Sequence, residues 1–142
     1  MSGFLLDVNA LIALLDPSHL HHERAHAWFE VYGMGDWVSC PTTENGTVRI
    51  ISNPKYSNPQ PVQAILDSLE SLCGVGNHRF AADAVSLLGA GVERASLLSS
   101  SQVTDTYLLC LAVSLGAQLA TFDRRIVISA VPLGSKAVFF IP

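Results

Sequence analysis

The sequence predicts an α/β fold, with a mostly parallel sheet of four to five strands covered by helices on both faces. Three observations carry this. Short apolar runs alternate with longer helical patterns, in the order strand, helices, strand, helices, strand, helices, strand, strand. The opening run "GFLLD" is too apolar for a strand with one face in water. The 142 residues, 49% of them hydrophobic, suit one domain over 1–142 with a sizeable core and argue against disorder.

The elements follow in order. "GFLLD" reads as a buried strand, and "VNALIALLD" continues as a helix that Pro17 helps to end. "SHLHHERAHAWFEVYG" is a second helix, with Ser18 as its expected cap and Gly33 or Gly35 at its end. "WVSC" is a strand, after which Pro41 and Thr42 introduce the helix "TENGTVRIIS". "SNPKYSNPQP", with three prolines, is a loop. "VQAILDSLESLCG" is amphipathic, with Val62, Ile65, Leu66, Leu69 and Leu72 on its apolar positions. "HRFA" is a short strand, and "DAVSLLGAGVERASLL" is expected to be helical with a break near Gly89 and Gly91. That run and the helix before it are candidates for burial against a second subunit. "SSSQV" is a loop, Thr104 the expected cap, and "DTYLLCLAVSLG" a buried helix stopped by Gly116. "AQLAT" and "KAVFFI" close the pattern as strands.

Composition narrows the function classes. The formal charge of −4 supplies no global field toward nucleic acid and argues against a broad basic face for duplex DNA. It does not exclude a local strip from Arg49, Lys55, Arg79, Arg124 and Arg125. No apolar run reaches the roughly 18 residues of a membrane span, and the N-terminus lacks the features of a signal peptide. A soluble, cytoplasmic protein without membrane partners is expected. Cys40, Cys73 and Cys110 form no CxxC pair and read as structural.

The acids carry the chemistry. Sites in open parallel sheets lie beyond the carboxyl ends of the strands, near a switch in strand order. Asp7 ends the first strand, Glu44 opens the helix after the second, and Asp123 follows "AQLAT". The helix bearing Asp105 runs antiparallel to the strand after it, so its first turn reaches the same edge. Four carboxylates on one rim repel one another unless cations neutralise them. An all-oxygen ligand set favours hard ions such as Mg²⁺ or Mn²⁺, which suit phosphodiester hydrolysis. Asn9, Asn45 and Thr121 are candidate supporting polar groups. Arg124 and Arg125 are candidate contacts to a nucleic-acid backbone, and Arg49 points either at the groove or into solvent.

Plainer readings exist for each residue taken singly. Asp7 can cap the helix after it, Asp105 is an ordinary first-turn acid, Glu44 a surface residue and Asp123 a turn residue. Capping does not require all four at one edge. "HERAH", residues 22–26, matches the HExxH zinc-protease signature. It reads instead as a solvated helix face, because His22 and His26 lie opposite an apolar stripe of Leu20, Ala27 and Val31. Only 21 residues precede it, and no second zinc motif follows. Trp28 and Trp37 read as core residues rather than stacking platforms for bases.

"LLDVNALIALLD", "CPTTENGTVRIISNP" and "VTDTYLLCLAVSLGAQLATFDRR" together resemble the PIN-domain ribonucleases, and among them the VapC toxins of toxin–antitoxin modules. The resemblance spans nearly the whole chain. It implies a three-layer α/β/α sandwich and a Mg²⁺- or Mn²⁺-dependent endoribonuclease. Its catalytic acids would be Asp7, Glu44, Asp105 and Asp123, with Asp7, Asp105 and Asp123 as metal ligands. It also implies an RNA substrate, a homodimer and a small VapB antitoxin as partner. Some relatives carry one more acid two residues beyond the last aspartate, where this chain has Arg125. Two other functions stand beside this one: a non-catalytic PIN-like binding module, and a phosphohydrolase of the haloacid dehalogenase type. The second needs an aspartate where this chain has Asn9.

Overall fold

A computed structural model of the protein describes residues 3–142. Five strands form one sheet: β1 (Phe4–Leu6), β2 (Trp37–Ser39), β3 (His78–Phe80), β4 (Gln118–Thr121) and β5 (Val138–Phe140). The spatial order is β3-β2-β1-β4-β5, and every neighbouring pair is parallel. Six α-helices connect them: α1 (Val8–Leu15), α2 (His22–Val31), α3 (Pro41–Ile51), α4 (Val62–Cys73), α5 (Val103–Leu115) and the short α6 (Gly134–Ala137). The layered α/β/α architecture expected from the chain order is therefore present.

The alternation of β1 sorts its side chains into two cores. Leu5 packs with Val38 and Leu119 against α5, while Leu6 joins Trp37 and Ala120 under α1 and α2. Trp28 and Trp37, 4% and 0% exposed, are core residues as expected. Ile12, Ile51 and Ile65 form a third cluster where α1, α3 and α4 meet. Gly46 lets α3 approach α1, since a Cβ there would lie 3.0 Å from Val8 Cγ2. Gly116 closes α5 at φ +64, the left-handed cap expected of it.

Several sequence expectations need correction. The run 83–98 is not helical. It crosses α5 as irregular chain, with one turn of 3-10 helix at Arg94–Ser96. Val92 is buried and Val85, Leu87 and Leu97 are partly buried in the core cluster that contains α5 of the same chain, while Leu88 and Leu98 stay exposed. The Glu93 N–H donates to the Ala130 carbonyl at 2.7 Å. Gly91 passes so close that a Cβ would lie 2.9 Å from Cys110 Sγ. Apolar spacing and helical geometry part company here because two glycines favour a coil that tertiary contacts can shape.

Two caps also move. His21, not Ser18, precedes α2, and Gln102, not Thr104, precedes α5. The helix after β2 starts at Pro41 on a Cys40 N-cap, where Thr43 Oγ1 accepts from the Cys40 N–H.

The "HERAH" helix turns a different face inward. Leu20 and Val31 are exposed and Ala25, Trp28 and Phe29 are buried. His22 and His26 are partly buried against the end of α1, where Nδ1 of His22 lies 2.7 Å from the Ala13 carbonyl and Nε2 of His26 lies 2.9 Å from that of Leu14. The motif is still no zinc site, for a new reason: these histidines cap the last carbonyls of α1.

The loop 52–61 is pinned by a buried carboxylate. Asp16 accepts from Tyr56 Oη at 2.5 Å and from Asn58 Nδ2 at 2.9 Å. Burial alone would raise its pKa, but these bonds hold it below the ordinary carboxylate value.

Candidate active site at the switch in strand order

The chain winds outward from β1 to β2 and β3 on one side, and through β4 to β5 on the other. The crevice of such a sheet opens at the carboxyl ends of the two strands where winding reverses, here β1 and β4. Register aligns them. Leu6 pairs with Ala120, and the Asp7 N–H donates to the Ala120 carbonyl at 3.1 Å, so Asp7 follows directly with Thr121 beside it.

Asp7 is 2% exposed and caps α1: its Oδ1 accepts from the Ala10 N–H at 2.7 Å. Its Oδ2 accepts from the Thr121 hydroxyl at 2.5 Å. The capping role that the sequence allowed for Asp7 is thus real, and it coexists with a second relationship. Burial pushes the Asp7 carboxyl up to about 7 against the lowering effect of those two bonds, and the charges of Asp105 and Asp123 add to the rise. Asp105, in the first turn of α5, is itself raised by burial and by Asp123, with Arg125 pulling the other way. Asp123 is tied in through its backbone, since its N–H donates to Thr121 Oγ1 at 3.0 Å. Three aspartates from β1, α5 and the loop after β4 therefore share one corner. Thr121, 0% exposed, is the joint between two of them.

Glu44 lies in the first turn of α3, but its side chain joins a different group. Its Oε2 accepts from the Ser39 hydroxyl at 2.6 Å, and the same hydroxyl lies 2.7 Å from Nε2 of His78. Glu44 faces the groove between α3 and α4 with Val48, Val62 and Leu66.

The polar residues occupy two depressions around the aspartates. One, between α1, α3 and α5, is lined by Asn9, Thr42, Asn45, Arg49 and Asp105, and the exposed Arg49 also borders the groove between α3 and α4. The other is lined by Asn9, His19, Leu20, His21, Phe122 and Asp123, with Arg124 and Arg125 at its edge. Asn9 belongs to both. Arg125 Nε lies 3.3 Å from Asp123 Oδ1, and the Arg124 guanidinium stands over the Phe140 ring at 4.9 Å.

Sequence reading overlooked the second depression, where the His21 ring stacks on Phe122 at 4.6 Å. It also missed Ser39, Cys73 and His78 around Glu44. The signal for His78 was the strand register, Trp37 with His78 and Ser39 with Phe80, which no local pattern encodes.

The corner suits a divalent cation. Its donors are carboxylate oxygens whose pKa values are raised first by burial and further by one another's charge, and a hard cation relieves both the lost hydration and the repulsion. Each Asp7 oxygen keeps a lone pair beyond its hydrogen bond.

Comparison with known proteins follows the same lines. Residues 4–131 match the PIN domain. Ribonuclease VapC44 of Mycobacterium tuberculosis is 45% identical over 133 residues, covering 93% of this chain and 94% of that protein. Ribonuclease VapC38 of the same organism is 46% identical over 125 residues, covering 86% of each. Among solved structures, FitAB bound to an IR36 DNA fragment aligns with a TM-score of 0.64 at 18% identity. That alignment covers 96% of this chain and 94% of that one, a likeness of fold.

Proposed function

The chain belongs to the PIN-domain family, in its VapC branch, and from that premise we propose that it is a metal-dependent endoribonuclease. In this reading it is the toxin of a VapBC-type toxin–antitoxin module, acting in the cytoplasm as a homodimer and restrained by a VapB-type antitoxin. The observation that carries the proposal is the grouping of Asp7, Asp105 and Asp123 at the crevice between β1 and β4. The names of the VapC relatives support RNA as the substrate.

Asp7, Asp105 and Asp123 would hold Mg²⁺ or Mn²⁺. Such an ion, when bound, activates water and neutralises charge on a phosphoryl oxygen. Everything else falls to the protein. Thr121 fixes the Asp7 carboxylate through Oδ2 and holds the Asp123 loop by its backbone. Asn9 and Asn45 present amides from opposite walls of the groove, and Arg49, Arg124 and Arg125 offer charged donors to the RNA backbone on its two sides. The rigid β1–β4 pair keeps this arrangement in place.

The test is RNA cleavage by the purified chain with Mg²⁺ or Mn²⁺. The expected result is cleavage that EDTA and Asp7→Asn both abolish. RNA left intact by folded protein with metal bound would sink the enzymatic reading. A non-catalytic binding module has one observation in its favour, since capping alone would retain Asp7. It requires unchanged biological activity in an Asp7→Asn, Asp105→Asn double variant. The phosphohydrolase reading has nothing comparable, because Asn9 occupies the position of its acid.

A further inference from the structure

Glu44 of α3, Cys73 at the last position of α4 and His78 at the first position of β3 bring a carboxylate oxygen, a thiol sulfur and a ring nitrogen together. All three atoms lie within 4.8 Å of one another. The side chains are half-buried, so the group is reachable from solvent yet held by packing. Ser39, buried at the end of β2, binds Glu44 at 2.6 Å and His78 at 2.7 Å, drawing two of the three together. The His78 ring is fixed on its other side by Trp37, with centroids 4.4 Å apart.

We propose that Glu44, Cys73 and His78 form a zinc site, separate from the three-aspartate corner. Donor chemistry separates the two. The corner offers oxygen alone and suits a hard ion, whereas sulfur, imidazole and carboxylate are the donors Zn²⁺ prefers. Three protein ligands leave a fourth position for water. The ligands come from three elements that meet only in the folded chain, so zinc would tie α3, α4 and β3 together and stabilise the fold. Coordination forms a zinc–sulfur bond as the Cys73 S–H proton leaves to solvent, with no change of oxidation state. Burial and the nearby Glu44 charge keep that thiol protonated without metal, while burial lowers the His78 pKa and leaves its ring neutral and able to donate a lone pair. Glu44, the fourth acid of the sequence pattern, thereby acquires a role away from Asp7, Asp105 and Asp123. The site does not depend on ribonuclease activity.

Co²⁺ is the probe, added to the chelator-treated full chain. The expected result is a near-ultraviolet thiolate-to-cobalt band that saturates at one ion per chain, and that stoichiometric Zn²⁺ but not Mg²⁺ abolishes. Cys73→Ser removes the band, His78→Ala weakens binding at least about 10-fold, and Cys110→Ala keeps the band. X-ray absorption at the zinc edge of the unaltered chain then finds one sulfur in the shell, a readout needing no variant. A band that survives Cys73→Ser, or a zinc shell without sulfur, overturns the proposal.

Discussion

The Thr121 hydroxyl donates to Asp7 Oδ2 at 2.5 Å, joining the end of β4 to the N-cap of α1. Thr121 Oγ1 also accepts from the Asp123 N–H at 3.0 Å, so one buried side chain sets the spacing of two site carboxylates. Thr121→Val removes this joint at nearly constant volume. The expected cost is about 1–3 kcal/mol, because a buried carboxylate oxygen and a backbone N–H both lose a partner. Cleavage should fall about 10- to 100-fold. Thr121→Ser, which keeps the hydroxyl, should recover most of both. Urea denaturation and cleavage rates check this, and a valine variant as stable and active as the parent would refute the role of Thr121.

Asp7→Asn separates the cap from the charge. The amide carbonyl still accepts from Ala10, and the amide nitrogen meets a Thr121 hydroxyl that can turn to accept. We expect the variant to fold and to lose cleavage by at least about 100-fold, beyond the loss typical of a residue that only supports a ligand. Circular dichroism alongside a cleavage assay decides it. A folded variant with parental activity would exclude Asp7 from the chemistry.

Stability without metal should fall as pH rises. The Asp7 carboxyl stands at about 7 in the fold against an ordinary 3.8. Its contribution is therefore fully present below about 3.8, where it is protonated in both states, and is lost as pH climbs through about 7. The interval corresponds to on the order of 4 kcal/mol. Asp105 is raised too and acts in the same sense. Asp16, held low by Tyr56 and Asn58, acts oppositely, its contribution fading only as pH drops below the ordinary carboxylate value. Denaturation in EDTA should show lower stability at pH 8 than at pH 5.5, with Mg²⁺ restoring the difference and Asp7→Asn flattening it. A parent chain more stable at pH 8 would contradict the assignment of Asp7.

Arg49 is exposed on the groove wall formed by α3. Arg49→Ala should leave the fold intact and raise KM for RNA with little change in kcat. It should also lessen the slope of log affinity against log salt by about 0.7, the value for one phosphate contact on a single strand. A loss confined to kcat, with KM unchanged, would move Arg49 from binding to chemistry.

Much of this protein was legible one segment at a time. Alternation of short apolar runs with amphipathic stretches determined the sheet and its covering helices, and Gly116 marked the end of α5. Chain order alone carried Asp7, Asp105 and Asp123 to the carboxyl edge, because a parallel sheet leaves each crossover helix one direction to run. The buried tryptophans and the PIN-type motifs were likewise present in the string of letters.

Tertiary structure decided what depends on contacts between distant residues. Residues 83–98 carry a helical apolar rhythm, yet their partner is α5, and glycines allowed them to lie across it as coil. His22 and His26 looked solvated until α1 supplied carbonyls for them. Glu44 reached the expected edge of the sheet, but side-chain direction is set by neighbours, and Ser39, itself bonded to His78, holds it on the α4 side. Backbone periodicity is local and written in sequence, whereas the partner of a carboxylate is chosen by strand register and packing, which exist only once the chain has closed on itself.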